Sequence, residues 1–129
     1  MDEEVPVNPK AAYSSSKYQA ERILLSMNDE DFSPVILRKG TIYGFSPRMR
    51  YDLVVNTFLK DVLSKGYLTT HYGGEMWRPL VDVRDAARAY ITCLEAEESK
   101  VKGQIFNVVY GNFRISELAL RVIEALREV

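Results

Sequence analysis

The 129-residue sequence predicts an α/β fold with at least some parallel strand pairing. Three observations carry that expectation. Helix-patterned stretches alternate with short apolar runs along the whole chain. Pro34-Val35-Ile36-Leu37-Arg38 is nearly continuous apolar sequence, as in a strand buried on both faces. Gly40 and Gly44 bracket Thr41-Ile42-Tyr43 directly after it, and a glycine-punctuated loop in that position is where an open α/β sheet binds ligands. The length suits one domain, spanning 1–129.

Residues 1–8 are acidic and proline-containing and are expected to be frayed. Asn8-Pro9 then opens a helix over about 10–27, because proline is tolerated in a first turn. Ala12, Ser16, Ala20, Ile23 and Met27 form its small or apolar stripe. Inside this helix lies Tyr13-Ser14-Ser15-Ser16-Lys17. Residues four apart share a helix face, so Tyr13 and Lys17 present a phenol and an ammonium to one point. A free tyrosine ionises near a pKa of roughly 10, and a nearby cation lowers that value. The pair is therefore a candidate acid/base device acting on a hydroxyl or carbonyl oxygen. Tyrosine and lysine at this spacing are also common as mere surface neighbours. Of the eight tyrosines, only Tyr13 has a lysine four residues on.

After the strand at 34–38 and the loop 40–44, Arg48 and Arg50 extend the loop, as contacts for an anionic substrate or as solvated charges. A second helix is expected over 52–65, with Leu53, Val54, Thr57, Phe58 and Leu63 as buried positions and Gly66 as its stop. Next come a β-rich stretch at 67–71, a Gly73-Gly74 turn and a strand at 76–81, made irregular or peripheral by Pro79. Asp82 is expected to cap a third helix, 83–95, whose apolar face is Val83, Ala86, Ala87, Tyr90, Ile91 and Leu94. A polar loop at 97–103, a strand at 104–109 and a Gly111-Asn112 turn follow. Ser116 would cap a last helix with Leu118, Val122, Ile123 and Leu126 on its core face.

Composition narrows the function. A net charge of −1 offers nothing to attract nucleic acid or a membrane surface. No apolar run reaches the roughly 20 residues of a membrane span, and the start lacks the regions of a signal peptide. Cys93 is the sole cysteine, which rules out an internal disulfide and fits a reducing, cytoplasmic setting. His71 is the sole histidine, so a His-rich metal site is excluded; it reads as a hydrogen-bonding or surface residue, and no metal is expected. No Gly-x-Gly-x-x-Gly run is present to bind a dinucleotide pyrophosphate.

Four motifs occur in a telling order: Tyr13-x-x-x-Lys17; Leu37-Arg38-x-x-Thr41-x-Tyr43-Gly44; Trp77-Arg78-Pro79-Leu80-Val81-Asp82-Val83-Arg84-Asp85; and Gly103-x-x-Phe106-Asn107-Val108. Together they resemble the extended short-chain dehydrogenases/reductases, and more narrowly the NAD-dependent nucleotide-sugar epimerase/dehydratase family. The resemblance implies the C-terminal part of a Rossmann-type protein, lacking the N-terminal glycine-rich βαβ unit. A chain without that unit is expected to be inactive alone. By resemblance, Tyr13 is the general acid/base, and Lys17 holds the nicotinamide ribose of NAD or NADP. Gly40 and Thr41 lie against the cofactor, while Tyr43, Asn56 and Arg78 contact a nucleotide-sugar, Arg78 at its diphosphate or ribose. Many relatives carry Asn where this chain has Thr41. Asn56 reads equally as an exposed helix residue, and Asp85 as structural. The implied activity is hydride transfer between a sugar hydroxyl and NAD, assisted by the Tyr/Lys pair. The alternative is a non-catalytic nucleotide-sugar-binding or oligomerising remnant of the same fold. A homo-oligomer is expected, since the tyrosine helix of the family enters a dimeric bundle.

Overall fold

The helix carrying Tyr13 runs over Ala12–Ser26 (α1) in the computed structural model, which describes residues 3–128. The serines that interrupt its polar stretch turn back on their own helix. The Ser14 hydroxyl donates to the Ala11 carbonyl at 2.9 Å, and Ser16 to Tyr13 at 2.8 Å. Such local bonds occupy the side chains without displacing the backbone ladder. The order continues β1 (Ile36–Lys39), β2 (Thr41–Tyr43), α2 (Val54–Lys65), a 3₁₀ turn (His71–Gly74), β3 (Trp77–Asp82), α3 (Val83–Glu95), α4 (Glu98–Val101), β4 (Ile105–Val108), β5 (Gly111–Arg114) and α5 (Ile115–Arg127). Contacts divide the chain into two compact units: Met1–Arg38 with Ala89–Asn107, and Lys39–Arg88 with Val108–Val129. The division falls inside α3.

In the first unit the apolar run becomes β1, which forms a two-stranded sheet with β4. The Ile36 N–H donates to the Gln104 carbonyl at 2.9 Å. Arg38 on β1 reaches Glu21 on α1 through both limbs of its fork, one of them Nε to Oε2 at 2.9 Å. Both side chains are largely buried, and the Glu21 hydrogen bond holds the Arg38 guanidinium above its ordinary range, against the effect of burial. This ion pair decides which face of α1 turns inward. The expected apolar stripe, with Ile23 and Met27, lies on the exposed face instead, and no residue of α1 is fully buried. Of the stretch expected to be frayed, Met1 and Asp2 lie outside the described residues. The Glu3 carboxylate accepts the Asn107 N–H, and its carbonyl accepts Arg38. The polar stretch at 97–103 contains the short helix α4 rather than loop alone.

The second unit is built on a three-stranded sheet ordered β2-β3-β5. β2 runs parallel to β3, with Thr41 opposite Leu80 and Tyr43 opposite Asp82; β5 runs antiparallel, with Trp77 opposite Arg114 and Leu80 opposite Gly111. Three expectations are corrected here. The segment between Gly40 and Gly44 is a strand, not a loop. Gly111-Asn112 is strand, not turn. β3 is central despite Pro79, because pairing with β2 begins at Leu80, one residue past the missing N–H. Residues 67–70 form no strand, and the 3₁₀ turn follows them. Phe58, Leu80, Leu118, Ala119 and Val122 form the core, with Tyr43, Val54, Leu59 and Phe113 packed on it.

Helix boundaries follow local chemistry. Gly66 adopts the left-handed conformation at φ 78° that closes α2. The Asp82 carboxylate accepts the Arg84 N–H at 2.8 Å, capping α3 as expected. α5 starts two residues earlier than expected. Arg114 is its cap, and Glu117 reaches back to the Arg114 N–H at 3.2 Å, so Ser116 lies within the first turn. The outer residues of the apolar faces are corrected too: Leu63, Tyr90, Ile91 and Leu94 are exposed, whereas Ala86 is buried.

Two glycines with positive φ separate conformational from steric cost. A Cβ at Gly66 would meet nothing within 4 Å, whereas one at Gly74 would stand 2.8 Å from the Ser116 backbone nitrogen. Gly66→Ala is expected to cost about 1 kcal/mol, the left-handed penalty alone. Gly74→Ala should cost clearly more, because backbone must move. Urea unfolding of the two variants checks the order.

Candidate functional site

Tyr13 and Lys17 lie on the same side of α1, with the Lys17 ammonium 5.7 Å from the centre of the Tyr13 ring. Tyr13 is 75% exposed, so its hydroxyl is open to a ligand. The one-turn spacing thus yields a phenol and a cation side by side, as the pattern predicts. Both belong to the first unit.

Gly40, Thr41, Tyr43, Asn56 and Arg78 belong to the second unit. Residues paired across a sheet share a face, and faces alternate along each strand. Leu80 therefore sets the face of its neighbours: Thr41, Tyr43 and Arg78 all project from the side of the sheet that carries Leu80. Thr41 and Arg78 line one cavity of about 420 Å³, closed by Leu53, Val54, Thr57 and Phe58 at the start of α2 and by Thr69, Thr70 and His71 before β3. Arg78 donates only to the Trp77 carbonyl, at 3.2 Å. Among the described residues it has no carboxylate partner. The two acids in the wall are already matched: Asp52 to Arg50, and Asp61 to Lys65 at 3.0 Å. Arg78 thus shares the cavity wall with two carboxylates, each ion-paired to a cation outside that wall.

Tyr43 is half-buried against the core. Burial, followed by the neighbouring Asp82 carboxylate, pushes its phenol above the ordinary tyrosine range. Asn56 is not the exposed helix residue of one expectation; it is 4% exposed. Its Oδ1 accepts the Gly44 N–H at 3.4 Å, and its Nδ2 donates to the Arg50 carbonyl at 3.0 Å. The amide clasps both ends of the arginine-bearing loop. Gly40 is required internally, since a Cβ there would stand 2.9 Å from the Pro79 carbonyl oxygen. Thr57, Thr69, Thr70 and His71 were not foreseen as cavity residues. The signal for the last three was Thr69-Thr70-His71 leading through Tyr72 into Gly73-Gly74, which the strand reading of 67–71 obscured.

The fold is the mixed α/β fold of about two-fifths of the Rossmann-type dehydratase structures it superposes on. Within that class the sequence matches the NAD dependent epimerase/dehydratase family over residues 1–109, and the chain belongs to that family. Human dTDP-D-glucose 4,6-dehydratase is 28% identical over 131 residues, a match covering 99% of this chain and 36% of that protein. Among solved structures, dTDP-glucose 4,6-dehydratase from Bacillus anthracis in complex with NAD superposes with a TM-score of 0.83 at 22% identity, covering 98% of this chain and 40% of that one. UDP-glucose 4-epimerase from Thermus thermophilus in complex with NAD gives 0.75 at 29% identity, covering 97% and 41%. The chain thus spans little more than a third of the human relative.

Asp82 ties this region together, capping α3 and standing against Gly44. Hydrogen bonds from Arg84 hold its carboxyl below the ordinary range. A depressed acid contributes stability above its unfolded pKa of about 4, and that contribution disappears as pH falls through the lower folded value. Asp82→Ala should cost about 1 kcal/mol near neutrality and show a smaller further loss below about pH 4 than the parent. Thermal unfolding as a function of pH checks both.

Proposed function

We propose that this chain supplies the acid/base pair and the nucleotide-sugar site of an NAD-dependent epimerase/dehydratase. The observation that carries the reading is Arg78, a guanidinium without a carboxylate partner among the described residues, on the wall of a cavity of about 420 Å³ whose acids are neutralised by their own cations. A planar fork of donors matches the oxygens of a diphosphate. Thr41, Thr69 and Thr70 add uncharged hydroxyls for the nucleoside end. Asn56 acts through the loop it clasps, and Tyr43 donates from the same sheet face as Arg78.

Tyr13 takes the proton of a sugar hydroxyl as the carbon beneath it is oxidised, and later returns a proton to the carbonyl oxygen. Lys17 offers its ammonium to a ribose hydroxyl. When bound, NAD (or NADP) supplies the hydride acceptor and donor. The residues present fit it in part. Tyr13 and Lys17 are exposed and adjacent, while the sequence holds no glycine-rich run to cradle the pyrophosphate. The ketone formed acidifies the neighbouring positions, which opens epimerisation or dehydration.

A second reading, a nucleotide-sugar binder that does no chemistry, is favoured by one observation: every residue lining the cavity belongs to the second unit. Under either reading, exposed Ile23, Leu24 and Met27 on α1 suit a homo-oligomer.

Calorimetric titration of dTDP-glucose into the chain should give binding that Arg78→Gln weakens at least tenfold and Tyr13→Phe leaves unchanged. In a polypeptide that also carries a cofactor-binding part, Tyr13→Phe should lower turnover by about a hundredfold or more. Unaltered turnover in the Tyr13 variant would overturn the role of Tyr13, whereas dTDP-glucose binding with no turnover in the parent of that longer polypeptide would favour the non-catalytic binder. Absence of any dTDP-glucose binding would exclude both.

A further inference from the structure

We propose that His71 makes nucleotide-sugar binding pH-dependent, because its imidazolium adds a second cation beside Arg78 in the wall of one cavity. The inference rests on the reading above that this cavity takes a nucleotide-sugar.

His71 is the sole histidine of the sequence and sits at the start of the 3₁₀ turn, exposed and facing the cavity. Its ring has no hydrogen bond or ion pair among the described residues. The turn that presents it is tightly held. Tyr72 adopts the left-handed region at φ 50°, and Gly74 lies so close to Ser116 that a Cβ would meet the backbone nitrogen at 2.8 Å.

The charges around it leave a ligand as its natural partner. Across the cavity, Asp52 is paired with Arg50, and Asp61 with Lys65. On its own side, Glu75 is paired with Arg114 at 3.3 Å, and Glu117 of α5 accepts the Arg114 N–H. Arg78 is the remaining cation of the wall. With a diphosphate bound, an imidazolium at His71 and the Arg78 guanidinium are two cations facing two negative charges. Uptake of a proton by His71 and uptake of the ligand thus favour each other, and imidazole is the side chain whose charge changes between about pH 5 and about pH 8.

The choice of ligand isolates the effect. A nucleoside diphosphate has a terminal phosphate that itself titrates near pH 6. In a nucleotide-sugar both phosphates are esterified, so its charge stays constant between about pH 5.5 and about pH 8. Thr41, Thr57, Thr69 and Thr70 carry no charge in that range. A pH dependence measured with dTDP-glucose therefore reports His71.

The test is calorimetric titration of dTDP-glucose at about pH 5.5 and about pH 8 into the chain and three variants. For the parent chain, affinity should rise by about three- to tenfold toward the lower pH, the scale expected for one added charge at several ångströms. His71→Gln should bind with the parent's weaker, high-pH affinity at both values. His71→Lys should bind tightly at both. Arg78→Gln should be weak throughout, yet retain a pH dependence. A parent affinity that does not change with pH, or a pH dependence that survives in His71→Gln, overturns the role of His71 and leaves the nucleotide-sugar reading intact. Failure of the parent to bind at either pH overturns both.

Discussion

The register between β2 and β3 is the constraint on which the cavity depends. Side chains alternate across a sheet, so a slip of one residue would send Thr41, Tyr43 and Arg78 to the opposite face together. Two features hold the register. Leu80 and Val81 are consecutive and both buried, at 3% and 1% exposure, on opposite faces. Neither can be turned outward without exposing the other side's apolar surface to water. At the entry to β2, the Pro79 carbonyl approaches Gly40 so closely that no side chain fits between them. A proline and a glycine that weaken a strand in isolation here fix where pairing begins.

Polar groups extend this frame to the loops. Asn56 holds Gly44 and Arg50 with a single buried amide, so the loop bearing Arg48 and Arg50 is tied at both ends to the first turn of α2. The Asp82 carboxylate performs a similar service one strand over, joining the end of β3 to the start of α3. In the first unit the Arg38–Glu21 pair fixes α1 on β1. Removing one partner of a largely buried pair leaves the other charge poorly solvated, so breaking the pair is costly even where the intact pair adds little net stability.

Much of this was legible in the residues. The helices at 12–26, 54–65 and 83–95 follow from periodicity, from Asp82 and from Gly66, and the spacing of Tyr13 and Lys17 sufficed to place them side by side. The inward face of α1 was not legible, because an ion pair with a distant strand outweighs a weak apolar stripe. Pro79 misled for a related reason: the cost of proline in a sheet depends on whether a partner awaits its missing N–H, and that is a property of the register. Sequence leaves Asn56 open between a substrate contact and an exposed helix residue, because the backbone groups it serves, at Gly44 and Arg50, lie 12 and 6 residues away. The cavity wall at Thr69, Thr70 and His71 escaped notice since residues 67–71 carry apolar and β-branched side chains that read as strand.

Every wall of the cavity is drawn from the second unit, while Tyr13 and Lys17 stand on the first. Under the proposed function, such a layout separates what is recognised from what is done to it. Drift among Thr41, Thr69, Thr70 and His71 could retune which nucleotide is accepted and leave the proton-handling helix untouched. One ancestral scaffold could in that way be adapted to many sugar donors by changes confined to a few wall positions.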